Sequence, residues 1–200
     1  IGLINPIGEW VLREACRQIR AWQDDGLPPL IVAVNVSPLQ FRQAGFVDTV
    51  ARALATSGLE ARFLELELTE GTVMDDVELS LNALSALNRM GVELALDDFG
   101  TGYSSLAYLK RFPVGKLKID RSFVRNLEVD PDERAIASTI VSMGRSLRLS
   151  VLAEGVETKE QYAILRDIGC ELVQGYFFSR PLPPEDLVKF LRKHPFVGKE

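Results

Sequence analysis

Histidine and cysteine are nearly absent: the 200 residues hold one histidine, His194, and two cysteines, Cys16 and Cys170. The histidine stands close to the end of the chain, and the cysteines lie far apart in no metal-ligand spacing. Histidine-based zinc sites and Ser-His-Asp chemistry therefore have almost no support. Two reduced thiols in a cytoplasmic protein are expected instead. A basic excess is also lacking, the net charge being -5. Duplex binding normally needs a basic face, so no DNA partner is expected. No apolar stretch approaches the ~20 residues of a membrane span. The opening "IGLINPIGEW" lacks the basic start and small-residue cleavage site of a signal peptide. No membrane contact is expected of this domain, although a longer parent protein is free to carry an anchor. Low-complexity tracts and composition breaks are missing, which predicts one domain over residues 1–200. Whatever chemistry the chain performs falls to carboxylates and lysines.

What is present is an ordinary globular composition, 46% hydrophobic and 26% charged, with strongly alternating periodicity. Amphipathic helical stretches are predicted near 6–24, 46–57, 77–90, 104–111, 132–147, 159–168 and 184–193. Between them lie β-prone runs: "IVAVN" (31–35), "LELEL" (64–68), "VELALD" (92–97), "KLKID" (116–120), "SVLAE" (150–154) and "ELVQ" (171–174). Strands alternating with helices imply parallel βα units.

Side chains alternate faces along a strand. One face of these runs is uniformly apolar: Val32 and Val34; Leu64, Leu66 and Leu68; Val92, Leu94 and Leu96; Leu117 and Ile119; Val151 and Ala153; Val173. It is expected to pack against the helices. The other face ends, strand after strand, in a polar group: Asn35, Glu67, Asp97, Lys118 then Asp120, Glu154, Gln174. A single acid at a strand end is ordinarily a helix cap or a turn residue. Six strands ending this way on one face match the carboxyl-end active site of a (β/α)8 barrel. Six strands are found where that fold has eight, and 200 residues where ~250 are typical. With Ile1 in first position, the predicted fold is an N-terminally truncated TIM-type barrel lacking about two strands.

Hard cations such as Mg²⁺ or Mn²⁺ take carboxylate, amide and water oxygens. Asn35, Glu67, Asp97, Asp98 and Glu154 form such a set, and without cations its acids repel one another. Adjacent carboxylates in "DDFGTG" (97–102), where the backbone leaves its pleat, can bridge two metals. The same six residues also read as a polar turn, with Gly100 and Gly102 permitting positive φ. Lys118 is either a salt-bridge partner for these acids or a cation that orients attacking water and meets developing phosphate charge. Two metals about 3.5–4 Å apart are the usual arrangement for in-line phosphoester hydrolysis.

"NVSPLQ", "ELTE", "DDFGTGYSSL", "KIDRSFV", "AEGVE" and "QGYFFSRPLP" occur in the order and spacing of EAL-domain proteins, and nearly the whole chain resembles that family. The resemblance implies bacterial phosphodiesterases that cut cyclic di-GMP to linear pGpG, on a (β/α)8-type barrel with one antiparallel strand and two Mg²⁺ or Mn²⁺ ions. It implies Asn35, Glu67, Asp97 and Asp98 as metal ligands, and Glu154 as a metal-linked ligand or general base. Lys118 resembles the lysine beside the attacking water; Lys118, Glu154 and Asp98 are the catalytic candidates. Glu157, Gln174 and Arg180 match positions that contact substrate or support the site. Glu70 resembles the glutamate that holds the "DDFGTGYSS" loop.

The family's Glu-Ala-Leu strand belongs upstream of Ile1, and its glutamate is a metal ligand. The isolated 200 residues are therefore expected to be nearly inactive, and an extension of about 60 residues to restore activity. The resemblance further implies a homodimer built partly on the helix after "DDFGTGYSS", with apolar Leu106, Leu109 and Phe112 either at that interface or in the core. Sensory or GGDEF domains are expected in the parent protein. Two other readings compete with the enzyme: an inactive domain that binds cyclic di-GMP or a protein partner, and a truncated scaffold that assembles through its helices. The ligand positions and lysine downstream of Ile1 are intact, which favours the enzyme.

Overall fold

The computed structural model describes residues 2–101 and 106–193, except the side chain of Leu106. Chain order is α1 (Ile4–Asp24), β1 (Val32–Asn35), α2 (Pro38–Phe41), α3 (Phe46–Ser57), a 3-10 turn (Ala61–Phe63), β2 (Leu64–Thr69), α4 (Glu70–Met74) and α5 (Val77–Arg89). It continues with β3 (Glu93–Phe99), α6 (Leu106–Leu109), β4 (Lys116–Ile119), α7 (Ser122–Arg125), α8 (Pro131–Leu147), β5 (Ser150–Ala153), α9 (Lys159–Asp167), β6 (Leu172–Val173) and α10 (Pro184–Lys193).

The described strands form one six-stranded sheet in the order β1-β2-β3-β4-β5-β6, and every neighbouring pair is parallel. An unreversed order is the mark of a singly wound βα barrel, because a doubly wound sheet switches direction partway. The antiparallel strand implied by the resemblance is not among the described strands. β1 and β6 are the two edges. The fold is thus an open part of a parallel barrel, as the alternation of elements predicts.

The two faces of the strands sort as expected. Leu64, Leu66, Leu68, Leu96, Leu117 and Ile119 are fully buried against the helical layer, where complete burial of each contributes about 1.5–3 kcal/mol. α1 packs on α3 and β1, and α8 on β4 and β5. Leu109 and Phe112 are 1% and 5% exposed, so of the two readings of these residues the structure selects the core.

The opposite face is charged at two heights. Near the amino ends, Lys116 on β4 pairs with Glu65 on β2 at 2.5 Å. Toward the carboxyl ends, Lys118 pairs with Glu67 at 2.7 Å. Both pairs cross over β3, whose Ala95 is opposite Glu67 on one side and Lys116 on the other. Ala95 is fully buried, and its single methyl group leaves the space that the ion pairs span.

Three short helices follow strands directly and were not expected from periodicity: α2, α4 and α7. Four or five residues carry too little periodicity to register. For α2 a different signal was in the sequence: Ser37 and Gln40 form a reciprocal capping box with Pro38 in the first turn. Of the helix predicted over 104–111, residues 104 and 105 lie outside the described residues, as does His194.

Candidate functional site

The strand ends converge on one ammonium. Lys118 Nζ lies 2.7 Å from Glu67 Oε2, 3.1 Å from Asp97 Oδ1 and 2.7 Å from Glu154 Oε1. An ammonium has three donors and no acceptor, and here each donor meets a different carboxylate from a different strand end. The Lys118 side chain is 4% exposed, so the cluster is shielded from solvent on the lysine side. Glu154 is the most open of its partners, at 22%.

Asp98 reaches the cluster by a backbone irregularity. In a regular strand two adjacent acids point to opposite faces. Here the pairing of β3 with β4 shifts register between Leu96 and Phe99, and Asp98 adopts φ 53°, in the left-handed region. Such a bulge re-aims side chains at active sites, and a non-glycine residue held there costs about 1–3 kcal/mol. Asp98 consequently lies close enough to Asp97 and Asp120 for their charges to be felt. The Asp98 N–H donates to Asp97 Oδ1 at 3.0 Å.

The charges are badly balanced. Burial pushes the carboxyls of Glu67 and Glu154 upward, and Lys118 only partly offsets this. Asp98 is raised as well, by burial first and then by Asp97 and Asp120. Burial disfavours charge on Lys118, but its bonds to Glu154 and Glu67 prevail and hold it well above the usual lysine range. Four carboxylates (Glu67, Asp97, Asp98, Glu154) thus share one resident cation.

The remaining expected residues divide into two groups. Register brings Asn35 beside Glu67. It places Gln174 one residue past Val173, opposite the residue following Ala153, which is Glu154. Gln174 is tied there through its backbone, donating to Ala153 O and accepting from Val156 N. Glu157 and Arg180 are exposed and make no bond to the cluster. Arg180 instead lies over the Tyr176 ring at 4.7 Å. Glu70 opens α4 and is 4% exposed, but residues 102–105 of the loop it was expected to hold lie outside the described residues.

Asp120 was the residue that the sequence reading left out of the ligand set. It follows the last residue of β4, accepts from Ser122 N at 3.0 Å and lies close enough to Asp98 to help raise its carboxyl. Burial would raise its carboxyl, yet hydrogen bonds from Ser122 and Arg121 leave it lowered. The signal was available: Asp120 stands two residues after Lys118, on the same strand face.

Among the described residues, no group of three or more Asp, Glu, His or Cys side chains is already closed around a cation position; the ammonium of Lys118 occupies the centre. The donor set nevertheless fits hard divalent cations. It consists of oxygens, it carries surplus negative charge, and burial makes that surplus costly.

These features define a parallel βα protein with a cluster of acids around a buried lysine at the carboxyl ends of its strands. The chain belongs to the EAL domain family, whose profile matches residues 1–181. Over 187 residues it is 53% identical to the bifunctional diguanylate cyclase/cyclic di-GMP phosphodiesterase MucR of Pseudomonas aeruginosa, covering 94% of this chain and 27% of that protein. The chain therefore spans only about a quarter of that relative's length. Among solved structures it resembles the PaMucR phosphodiesterase in complex with c-di-GMP, at 53% identity and a TM-score of 0.91, over 93% of this chain and 75% of that one. It also resembles Klebsiella pneumoniae BlrP1 in a manganese/cyclic di-GMP complex, at 33% identity and a TM-score of 0.75, over 85% of this chain and 44% of that one. A calcium/cyclic di-GMP complex of BlrP1 matches at 32% identity and a TM-score of 0.76, with 87% and 44% covered.

Replacing Lys118 with methionine leaves Glu67, Asp97 and Glu154 buried without their cation. Urea unfolding in chelator is expected to show a loss of about 3–5 kcal/mol at neutral pH. The carboxyls of Glu67 and Glu154, already raised by burial, rise further above their unfolded values, and stability from such a group disappears as pH climbs through the folded pKa. The deficit must therefore shrink toward acid pH; a deficit independent of pH contradicts the charge account.

Proposed function

We propose that the parent protein hydrolyses cyclic di-GMP to linear pGpG at this site with two Mg²⁺ or Mn²⁺ ions. The observation that carries the reading is the convergence of Glu67, Asp97 and Glu154 on Lys118 at the strand tips of an EAL domain. Related solved structures, complexes with cyclic di-GMP and with manganese or calcium, support it.

Asn35, Glu67, Asp97, Asp98 and Glu154 would hold the cations. When bound, the ions neutralise phosphate charge and lower the pKa of water. Lys118, freed from part of its carboxylate shell, orients the attacking water and donates to the phosphate oxygen that gains charge. Glu154 is the most exposed of the three acids on Lys118, and burial lifts its carboxyl, so it is suited to take the proton from water. Water oxygen bonds to phosphorus, the bond from phosphorus to the 3′ oxygen breaks, and a proton returns to that oxygen, giving a 5′-phosphate and a 3′-hydroxyl. Gln174, Glu157 and Arg180 serve the substrate around this centre, and Glu70 supports the loop after Asp98.

No helix among the described residues is long and apolar enough to cross a membrane, and we place the domain in the cytoplasm. Sensory or GGDEF domains are proposed for the parent protein. Self-association as a dimer is proposed as well, and since Leu109 and Phe112 are buried, the exposed Tyr108 is the large side chain that α6 offers among the described residues. Light scattering of the parent protein at high concentration should give the dimer mass; a monomer removes that proposal.

Asp97→Asn is expected to lower Mn²⁺-dependent hydrolysis of cyclic di-GMP by ~100-fold or more, the scale for a ligand rather than its supporting partner. Glu93→Gln changes the same face but lies four residues down β3, roughly 13 Å by strand rise, and should leave the rate nearly unchanged. Equal losses in the two variants would sink the assignment.

A further inference from the structure

Two lysines and two glutamates on the charged face of the strands pair with an offset. Glu67 on β2 and Lys116 on β4 stand level with each other, because both are register partners of Ala95 on the strand between them. Two strand spacings separate their backbones, roughly 9–10 Å. Glu65 lies two residues lower on β2, level with Glu93, and the diagonal from Lys116 to Glu65 is roughly 12 Å between backbones. Lys116 nevertheless takes the acid that is further away: its Nζ lies 2.5 Å from Glu65 Oε2. Lys118, two residues further along β4, repeats the offset and bonds Glu67 at 2.7 Å.

The same spacing allows a second arrangement, in which Lys116 crosses Ala95 directly and bonds Glu67. Ala95 blocks neither path, since it carries only a methyl group. What separates the two arrangements is the acid below. Glu65 is 4% exposed, so water screens its charge little and it holds the Lys116 ammonium firmly. Glu93 shares the face and the level of Glu65, but it is exposed, and exposed ion pairs contribute little. With Glu65 gone, the buried acid level with Lys116 is Glu67. A second ammonium there would occupy carboxylate lone pairs and set a further positive charge where a divalent cation has to enter.

We infer that Glu65 is a positioning residue for the cation site: by keeping the Lys116 ammonium one step below, it leaves Glu67 to Lys118 and to a divalent cation. The inference rests on the reading of the strand tips as a metal site. Lys116 is compatible with that site only in the presence of Glu65, so the two positions are coupled although neither touches a metal.

Calorimetric titration of the chelator-stripped parent protein with Mn²⁺ tests the coupling. Wild type is compared with Glu65→Leu, Glu65→Gln and the double variant Glu65→Leu/Lys116→Met, and thermal unfolding checks that each is folded. Glu65→Ala replaces Glu65→Leu in both variants should leucine not fold. Freeing Lys116 by Glu65→Leu is expected to weaken Mn²⁺ binding by about tenfold or more, the scale for a residue that supports a ligand. Glu65→Gln keeps a carbonyl oxygen to accept from Lys116 and should match wild type. The double variant has no ammonium to misplace, and hydrophobic replacement of a buried pair is well tolerated. Its affinity should return to within about twofold of wild type, as for two residues that act through one contact. An unchanged affinity in Glu65→Leu overturns the inference and leaves the metal-site reading intact. A double variant as weak as Glu65→Leu also overturns it, because Glu65 then acts through packing alone. A wild type that binds no Mn²⁺ removes the metal-site reading and this inference with it.

Discussion

One buried ammonium organises the functional face of this protein. Lys118 is held by three carboxylates from three strand ends, and that requirement constrains everything around it. The opposite face of the strands must supply the hydrophobic core alone, which explains why Leu64, Leu66, Leu68, Leu96, Leu117 and Ile119 are fully buried. β3 must stay thin where the pairs cross it, and Ala95 is the residue found there. A second pair, Lys116 with Glu65, lies beneath the first. Replacing such buried pairs with hydrophobic residues is often stabilising, so their presence points to a role other than stability. At the strand tips the role we propose is to keep the carboxylate oxygens apart, desolvated and aimed at one point.

Much of this was legible in the chain because strand alternation is a local rule. Period-two patterning placed Glu67, Asp97 and Lys118 on one face, and register then brought them together. The six strands and the long helices α3 and α10 fall where periodicity put them. The position of Asp98 was not derivable from alternation, which sends it to the face opposite Asp97. Only the register shift in β3 and a left-handed backbone at Asp98 unite the two acids. "DDFGTG" therefore read equally well as a turn. The fate of Leu109 and Phe112 was undecidable for a related reason: an apolar residue near a loop looks the same whether a core or a partner covers it.

Sequence reasoning also passed over residues whose surroundings only the fold supplies. Arg121 and Arg125 lie in "DRSFVR", where any arginine reads as solvated surface. Only the fold shows Gln161, from α9, tying the Arg125 carbonyl to the loop after β5. The same holds for Asp120, whose neighbour Asp98 reaches it through the bulge.

The central claim is that the oxygens around Lys118 form a site for two divalent cations. Isothermal titration of the chelator-stripped parent protein with Mn²⁺, without nucleotide, tests it most directly. The account predicts saturable binding of two ions per chain, with Glu67→Gln and Asp97→Asn each weakening it and Glu65→Gln leaving it unchanged. Glu65 belongs to the lower ionic layer and is paired with Lys116 instead. Mn²⁺ binding that is absent, or that is indifferent to Glu67 and Asp97, contradicts the account: the cluster would then be a buried salt bridge and nothing more.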